Sequence, residues 1–85
     1  MKIKDCFISY ESDGDNVIVD TSASFSGIIH INSSAAFIVE CLRTNTTEAE
    51  ILEKMKNKYD ATDAELSAGI ADVLGKLRSI KALEE

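Results

Sequence analysis

The sequence predicts an α+β domain in which a three-stranded antiparallel β-meander is followed by three α-helices. Three observations lead to this prediction. Short runs of β-branched and aromatic residues alternate with polar residues before position 32. An Asp-Gly step separates the first two of these runs. The remainder of the chain carries apolar stripes at helical spacing and two capping boxes, and it contains no proline.

The three predicted strands lie close together in the chain. Phe7 to Tyr10 alternates side chains in the manner of a half-buried strand, and Val17 to Val19 is the second strand. Asp13-Gly14 between them is a strong hairpin signal, since glycine tolerates the positive φ of a tight turn. The third strand runs from Gly27 to about Ile31. Because it is the last of the meander, we expect one of its edges to be unpaired.

Capping residues locate the three predicted helices. Asn32 or Ser33 caps the first helix, which runs to about Arg43. Thr47 with Glu50 opens the second helix, which ends near Tyr59, and Thr62 with Glu65 opens the third, which runs from about Asp63 to Lys81. The predicted core positions recur every three or four residues along these helices: Ala35, Ile38, Val39 and Leu42; Ile51, Leu52, Met55 and Tyr59; Leu66, Ile70, Val73, Leu77 and Ile80.

Length and charge narrow the classes of function. A chain of 85 residues is expected to form a single domain over residues 1–85. Nine Lys and Arg stand against fifteen Asp and Glu, which gives a net charge of -6. Since nucleic-acid binding draws on cationic contacts to phosphate, nucleic acid is not an expected partner. The sequence shows neither an apolar signal region nor a membrane span, so no membrane is expected as a partner either.

Few residues of this sequence suggest a catalytic or metal-binding role. His30 is the only histidine, and no His/Cys/Asp cluster has metal-ligand spacing. Cys6 and Cys41 lie far apart without a CxxC partner, which is typical of cytosolic thiols and favours a cytoplasmic location. Cys41 lies among apolar residues, so we expect a buried, inert thiol. The sequence therefore predicts no catalytic residue, no metal site and no cofactor.

The joint spacing of several segments resembles one known family. These segments are Val17-Ile18-Val19-Asp20, Ile31-Asn32 followed by Ala35-Ala36, Thr47-Glu48-Ala49-Glu50-Ile51, Tyr59, Asp72-Val73, Leu77, Ile80 and Leu83. Together they resemble the pyrroloquinoline quinone biosynthesis protein D (PqqD) family, also known as the recognition element for ribosomally made, modified peptides (RiPPs). Departures from the family pattern are Ile31 for the usual Leu, Lys76 for a bulky apolar residue, and Ala82 for the usual Gly.

The resemblance implies a winged helix-turn-helix-like module that performs no chemistry. Members of the family bind the leader segment of a precursor peptide. The leader adds as an antiparallel strand to the third strand and lies against the third helix. The module then delivers the precursor to a modifying enzyme such as a radical S-adenosylmethionine (radical SAM) enzyme, a protease or a cyclase.

Positions on the third strand and third helix are therefore the expected peptide-binding residues. On the strand these are Ser26, Gly27, Ile28, Ile29 and His30. On the helix they are Asp72 and Lys76 with Ser79, or Arg78 with Ser67 and Leu74 on the opposite flank. The sequence leaves open which flank faces the groove. An open strand edge also allows two copies of the domain to pair as a homodimer.

A winged-helix DNA-binding regulator is the alternative prediction. Its reading element would be the third helix. Asp63, Glu65 and Asp72 in the first part of that helix would repel phosphate. The peptide-binding adaptor is therefore the favoured interpretation.

Overall fold

The computed structural model describes residues 1–21 and 28–85, with the backbone alone at Ser12 and Ile28. Strands and helices within these ranges follow one another in the order β1 Lys2–Ile3, β2 Phe7–Ser12, β3 Asp15–Asp20, β4 Ile28–Ile31, α1 Ser33–Cys41, α2 Glu48–Lys58, α3 Asp63–Ser79 and β5 Leu83–Glu84. The predicted α+β class, with a three-stranded sheet before three helices, is confirmed.

The sheet is an antiparallel meander with strand order β2-β3-β4. A two-residue turn joins β2 to β3, with Asp13 at φ 51° and Gly14 at φ 85°. Positive φ at both positions is typical of a type I′ turn, whose twist matches that of the flanking strands. The hairpin predicted from Asp-Gly is therefore confirmed, and both of its strands are longer than the apolar runs indicated.

Local capping explains where the helices begin. The side chains of Asn32, Thr47 and Thr62 accept hydrogen bonds from the backbone N–H three residues later. Each bond satisfies a donor that the first helical turn leaves unpaired. Asn32, rather than Ser33, is the cap of α1. At the other end of α3, Lys81 adopts φ 59° in the turn that leads from the helix into β5.

The core lies between the sheet and the three helices. Its fully buried side chains include Ile3, Ile18, Ile38, Leu42, Ile51, Ile70 and Leu74. One helical phase differs from the prediction, because α3 buries Leu74 completely and leaves Val73 only partly buried. Within residues 1–21 and 28–85, every helix is too short or too polar to cross a lipid bilayer.

The two ends of the described chain form a second, two-stranded sheet that the sequence analysis did not predict. β1 pairs antiparallel with β5, with Ile3 opposite Leu83. The amide of Lys4 donates to the carbonyl of Ala82 at 2.7 Å, and that of Ile3 donates to the carbonyl of Leu42 at 2.9 Å. Strands of two residues are too short for alternation to reveal them.

Candidate functional site: the outer edge of β4 and its cleft

The alternating hydrogen bonds between β2 and β3 determine which residues of β3 turn their backbone N–H and C=O groups toward β4. The two-residue turn closes with Ser12 opposite Asp15, a pair that exchanges both bonds. Bonded pairs recur every second residue, and the amide of Thr21 continues the pattern by donating to the carbonyl of Cys6 at 2.7 Å. The intervening residues of β3, Ile18 among them, therefore turn their N–H and C=O groups toward β4.

The same alternation exposes two backbone groups on the far side of β4. Ile18 lies opposite Ile29, so Ile29 bonds to β3, and Ile31 two positions further does the same. The N–H and C=O groups of Ile28 and His30 then point away from the sheet. Within the described residues no hydrogen bond reaches these outward groups. Here the outer edge of β4 can accept another strand.

The opposite edge of the sheet, along β2, is partly covered by the protein itself. Arg43 donates from Nη1 to the carbonyl of Phe7 at 2.8 Å and from Nη2 to the hydroxyl of Ser9 at 2.9 Å. Phe7, Ser9 and Glu11 are the β2 positions whose backbone groups point outward in this register, and Arg43 lies across the first two. A charged side chain across an edge blocks strand addition. The β2 edge is therefore obstructed at Phe7 and Ser9, whereas within residues 1–21 and 28–85 no hydrogen bond reaches the outward groups of β4.

A cleft of about 190 Å³ lies between β4 and α3; we call it the strand cleft. Its lining is mostly apolar, and its polar residues are His30, Asn32, Asp72 and Lys76. Lys76 Nζ lies 3.2 Å from Asp72 Oδ2 in an exposed ion pair, one helical turn apart on α3. The apolar residues that line it come from the sheet and two helices: Ile18, Ile29, Ile31, Ala35, Val73 and Leu77.

This arrangement suits an extended peptide. A strand added to β4 would bond to the outward groups of Ile28 and His30, whatever its sequence. Side chains directly opposite Ile29 and Ile31 would share the face of those residues and point into the strand cleft. Backbone bonds would supply affinity, and the apolar lining would select alternate side chains.

A family model described as "Coenzyme PQQ synthesis protein D (PqqD)" matches residues 12–83. The chain belongs to the PqqD family. The match covers β3, β4 and all three helices, and with them every element that forms the strand cleft. No curated protein sequence matches this PqqD family member.

Two solved structures share the fold of this PqqD family member. One is "TbiB1 in Complex with the TbiA(beta) Leader Peptide", with a TM-score of 0.78 and 20% identity over 99% of this chain and 95% of that chain. The other is "Lasso peptide synthetase B1 complexed with the leader peptide", with a TM-score of 0.73 and 18% identity over 92% and 89% of the two chains. At these identities the likeness concerns the fold.

Four of the expected peptide-binding residues line the strand cleft, and a fifth, Ile28, precedes two of them on β4. Ile28, Ile29 and His30 lie on β4, and Asp72 and Lys76 lie on the side of α3 that borders the cleft. The structure thus places the Asp72 and Lys76 flank toward β4. Peptide contact at these five positions stays a prediction. Ser26 and Gly27, which were also expected to bind peptide, lie outside the described residues.

The structure does not bring Arg78 to the strand cleft. Its guanidinium donates to Glu85 at 2.8 Å and lies 4.0 Å from Glu48. The hydrogen bond with Glu85 raises the pKa of Arg78 and lowers the pKa of Glu85. Of the other two residues on that flank, Leu74 is completely buried and Ser67 is exposed, and neither lines the strand cleft. Helix geometry separates the two flanks, so one ligand on β4 meets only the Asp72 side.

Two residues of the strand cleft were assigned other roles by the sequence analysis. Val73 was assigned to the core, although it lies at the border between core and cleft. Asn32 was regarded as a cap alone, although it also lines the cleft at the junction of β4 and α1. The sequence did offer one signal for the cleft, since the apolar Val73 lies beside the charged residues Asp72 and Lys76. Periodicity cannot distinguish a core position from a cleft position.

The described residues offer little for covalent or metal chemistry. No group of three or more His, Cys, Asp or Glu in the described part of the chain is placed to hold a metal ion. Burial raises the pKa of the Cys41 thiol, which keeps it in the unreactive protonated form at neutral pH. His30 is exposed on β4, as expected for a strand-surface residue.

Proposed function

We propose that this chain is a non-catalytic adaptor that binds the leader segment of a ribosomally synthesised precursor peptide. The leader adds as an antiparallel strand to β4 and lies against α3. The observation that carries the proposal is the outer edge of β4, where outward backbone groups of Ile28 and His30 border an apolar cleft. Membership of the PqqD family and a fold shared with two leader-peptide complexes support it.

The proposed partners are the precursor and the enzyme that modifies it, such as a radical SAM enzyme, a protease or a cyclase. Residues 1–85 would act as one unit in delivering the leader. The cytoplasm is the proposed location, since it keeps thiols reduced and Cys6 and Cys41 are both free. A homodimer formed through β4 would use the same backbone groups, so dimerisation would compete with peptide binding.

The test removes one outward backbone donor, and its control removes the same imidazole from the strand cleft while keeping that donor. His30→Pro deletes the N–H that points away from β3 and retains the bonds that hold β4 in the sheet. His30→Ala is the matched control, because it shortens the side chain and keeps the N–H. Peptides enriched on the wild-type protein from a random display library are the probe. Affinity is measured by fluorescence polarisation.

We expect His30→Pro to bind about tenfold more weakly than His30→Ala, since a hydrogen bond is lost and the proline ring obstructs the incoming strand. The comparison with His30→Ala separates the loss of the N–H from the loss of the imidazole, which both variants share and which itself lines the strand cleft. Circular dichroism of both variants checks that the sheet is retained. Equal affinity of the proline and alanine variants, with both folded, would refute strand addition at β4.

A further inference from the structure

A second cleft, of about 220 Å³, lies where the start of α1, the end of α2 and the first half of α3 meet; we call it the helix cleft. Ile38, Met55 and Leu66 form an apolar wall, and each is more than nine-tenths buried. Tyr59 stands beside them, held edge-on against Phe37 with ring centroids 6.1 Å apart. None of these residues was among the expected peptide-binding positions.

The helix cleft adjoins the strand cleft. Asn32, Asp72 and Val73 line both. Asn32 Oδ1 accepts hydrogen bonds from the amide of Ala35 at 2.8 Å and from the hydroxyl of Ser34 at 2.9 Å, which fixes its side chain at the border. A chain lying along β4 therefore passes directly from one cleft to the other at Asn32.

Small residues keep the helix cleft open. Gly69 borders it on α3, and an added Cβ at this position would meet no heavy atom within 4 Å. Glycine inside a helix costs up to about 1 kcal/mol relative to alanine. Ala61, in the turn before α3, also borders the opening. The space at Gly69 is therefore available to a side chain from another molecule.

The polarity of the two strands decides which part of a bound peptide reaches this space. The inference rests on the proposed function, in which the leader runs antiparallel to β4. β4 runs from Ile28 toward Asn32, so an antiparallel partner enters at Asn32 and leaves at Ile28. Residues that precede the paired segment of the leader therefore lie beside the helix cleft.

We propose that the helix cleft binds one bulky, uncharged apolar side chain, aromatic or long aliphatic, from the leader residues just before the strand paired with β4. The apolar wall of Ile38, Met55 and Leu66 favours such a group. Glu65 and Asp72 at the cleft border disfavour an acidic side chain. Strand pairing supplies contacts independent of sequence, and this anchor would fix the register of the leader on β4.

Gly69→Leu tests the proposal by filling the helix cleft from inside the protein. Leucine is a better helix former than glycine, so this variant should fold at least as well as the wild type. Gly75→Leu is the matched control, because Gly75 lies on the same helix with equally open space and borders neither cleft. The probe is again a random-peptide display library, selected separately on each of the three proteins.

Peptides selected on the wild type and on Gly75→Leu should share a bulky apolar residue at one position before the paired segment. Their affinity for Gly69→Leu should fall about tenfold. Replacing the shared residue by alanine should weaken binding to the wild type and leave binding to Gly69→Leu unchanged. Such an interdependence of the two changes shows that they remove the same contact.

The outcomes distinguish this proposal from the proposed function. If the selected peptides lack the shared residue, or bind Gly69→Leu as tightly as Gly75→Leu, the helix cleft is not an anchor site. Strand addition would still stand if His30→Pro binds the same peptides more weakly than His30→Ala does. If no peptide is enriched on any of the proteins, both proposals fail.

Discussion

Val73 and Leu74 are adjacent on α3 and serve different surfaces. Leu74 is completely buried in the core, whereas Val73 is only partly buried and lines both the strand cleft and the helix cleft. Spacing along the helix allows either residue to follow Ile70 on the apolar stripe, at i+3 or i+4. The spacing alone favoured Val73 as the core residue, but the packing of α3 in the core buries Leu74 instead.

Aspartate at these two positions should therefore have unequal effects. Leu74→Asp is expected to prevent folding, because an unpaired carboxylate would be enclosed in the core. Val73→Asp should leave a folded domain with reduced stability and weaker peptide binding, since the carboxylate can reach solvent through the clefts. Urea unfolding followed by circular dichroism measures the difference. Equal loss of structure in both variants would contradict this assignment of α3.

The junction of β4 and α1 serves both the fold and the candidate binding site. Asn32 ends the strand, caps the helix and lies between the two clefts. Local rules predicted this junction, the hairpin at Asp13-Gly14 and the other two caps, because each depends on neighbours within a few residues. Which side of α3 faces β4 depends on contacts between distant elements, and so it could not be read from the sequence.

Replacing the cap separates the two roles of Asn32. Asn32→Ala should cost about 1 kcal/mol of stability through the lost bond to the amide of Ala35. Thr62→Ala is the matched control, since it removes the equivalent bond to the amide of Glu65 at the start of α3, outside both clefts. Both variants should lose similar stability in urea, and only Asn32→Ala should also lose affinity for selected peptides. Equal affinity of the two variants would remove Asn32 from the binding surface.

At the scale of the whole molecule, the β1–β5 sheet holds one wall of the strand cleft. β5 follows α3 after the turn at Lys81, and β1 is bonded both to β5 and to the carbonyl of Leu42 at the end of α1. The carboxyl end of α3 is thereby fixed relative to α1. Nothing in the local sequence indicated this pairing, because Ile3 and Leu83 come from opposite ends of the chain.

The energetic coupling between β1 and β5 can be tested by mutation. Ile3 and Leu83 are register partners in one apolar cluster, 1% and 9% exposed, so truncating either to alanine should cost about 2–4 kcal/mol. A double-mutant cycle measured by urea unfolding should give an interaction energy of about 1 kcal/mol, as neighbours typically do.

Ile3→Ala combined with Thr62→Ala is the control cycle for this coupling. Thr62 lies at the far end of α3, whose 17 residues place it roughly 25 Å from the end that leads into β5. Its effect should add to that of Ile3→Ala within about 0.5 kcal/mol, because sites so far apart share no partners. If the stability losses of Ile3→Ala and Leu83→Ala are also additive, the β1–β5 sheet contributes no cooperative contact. It could not then hold α3 in place beside β4.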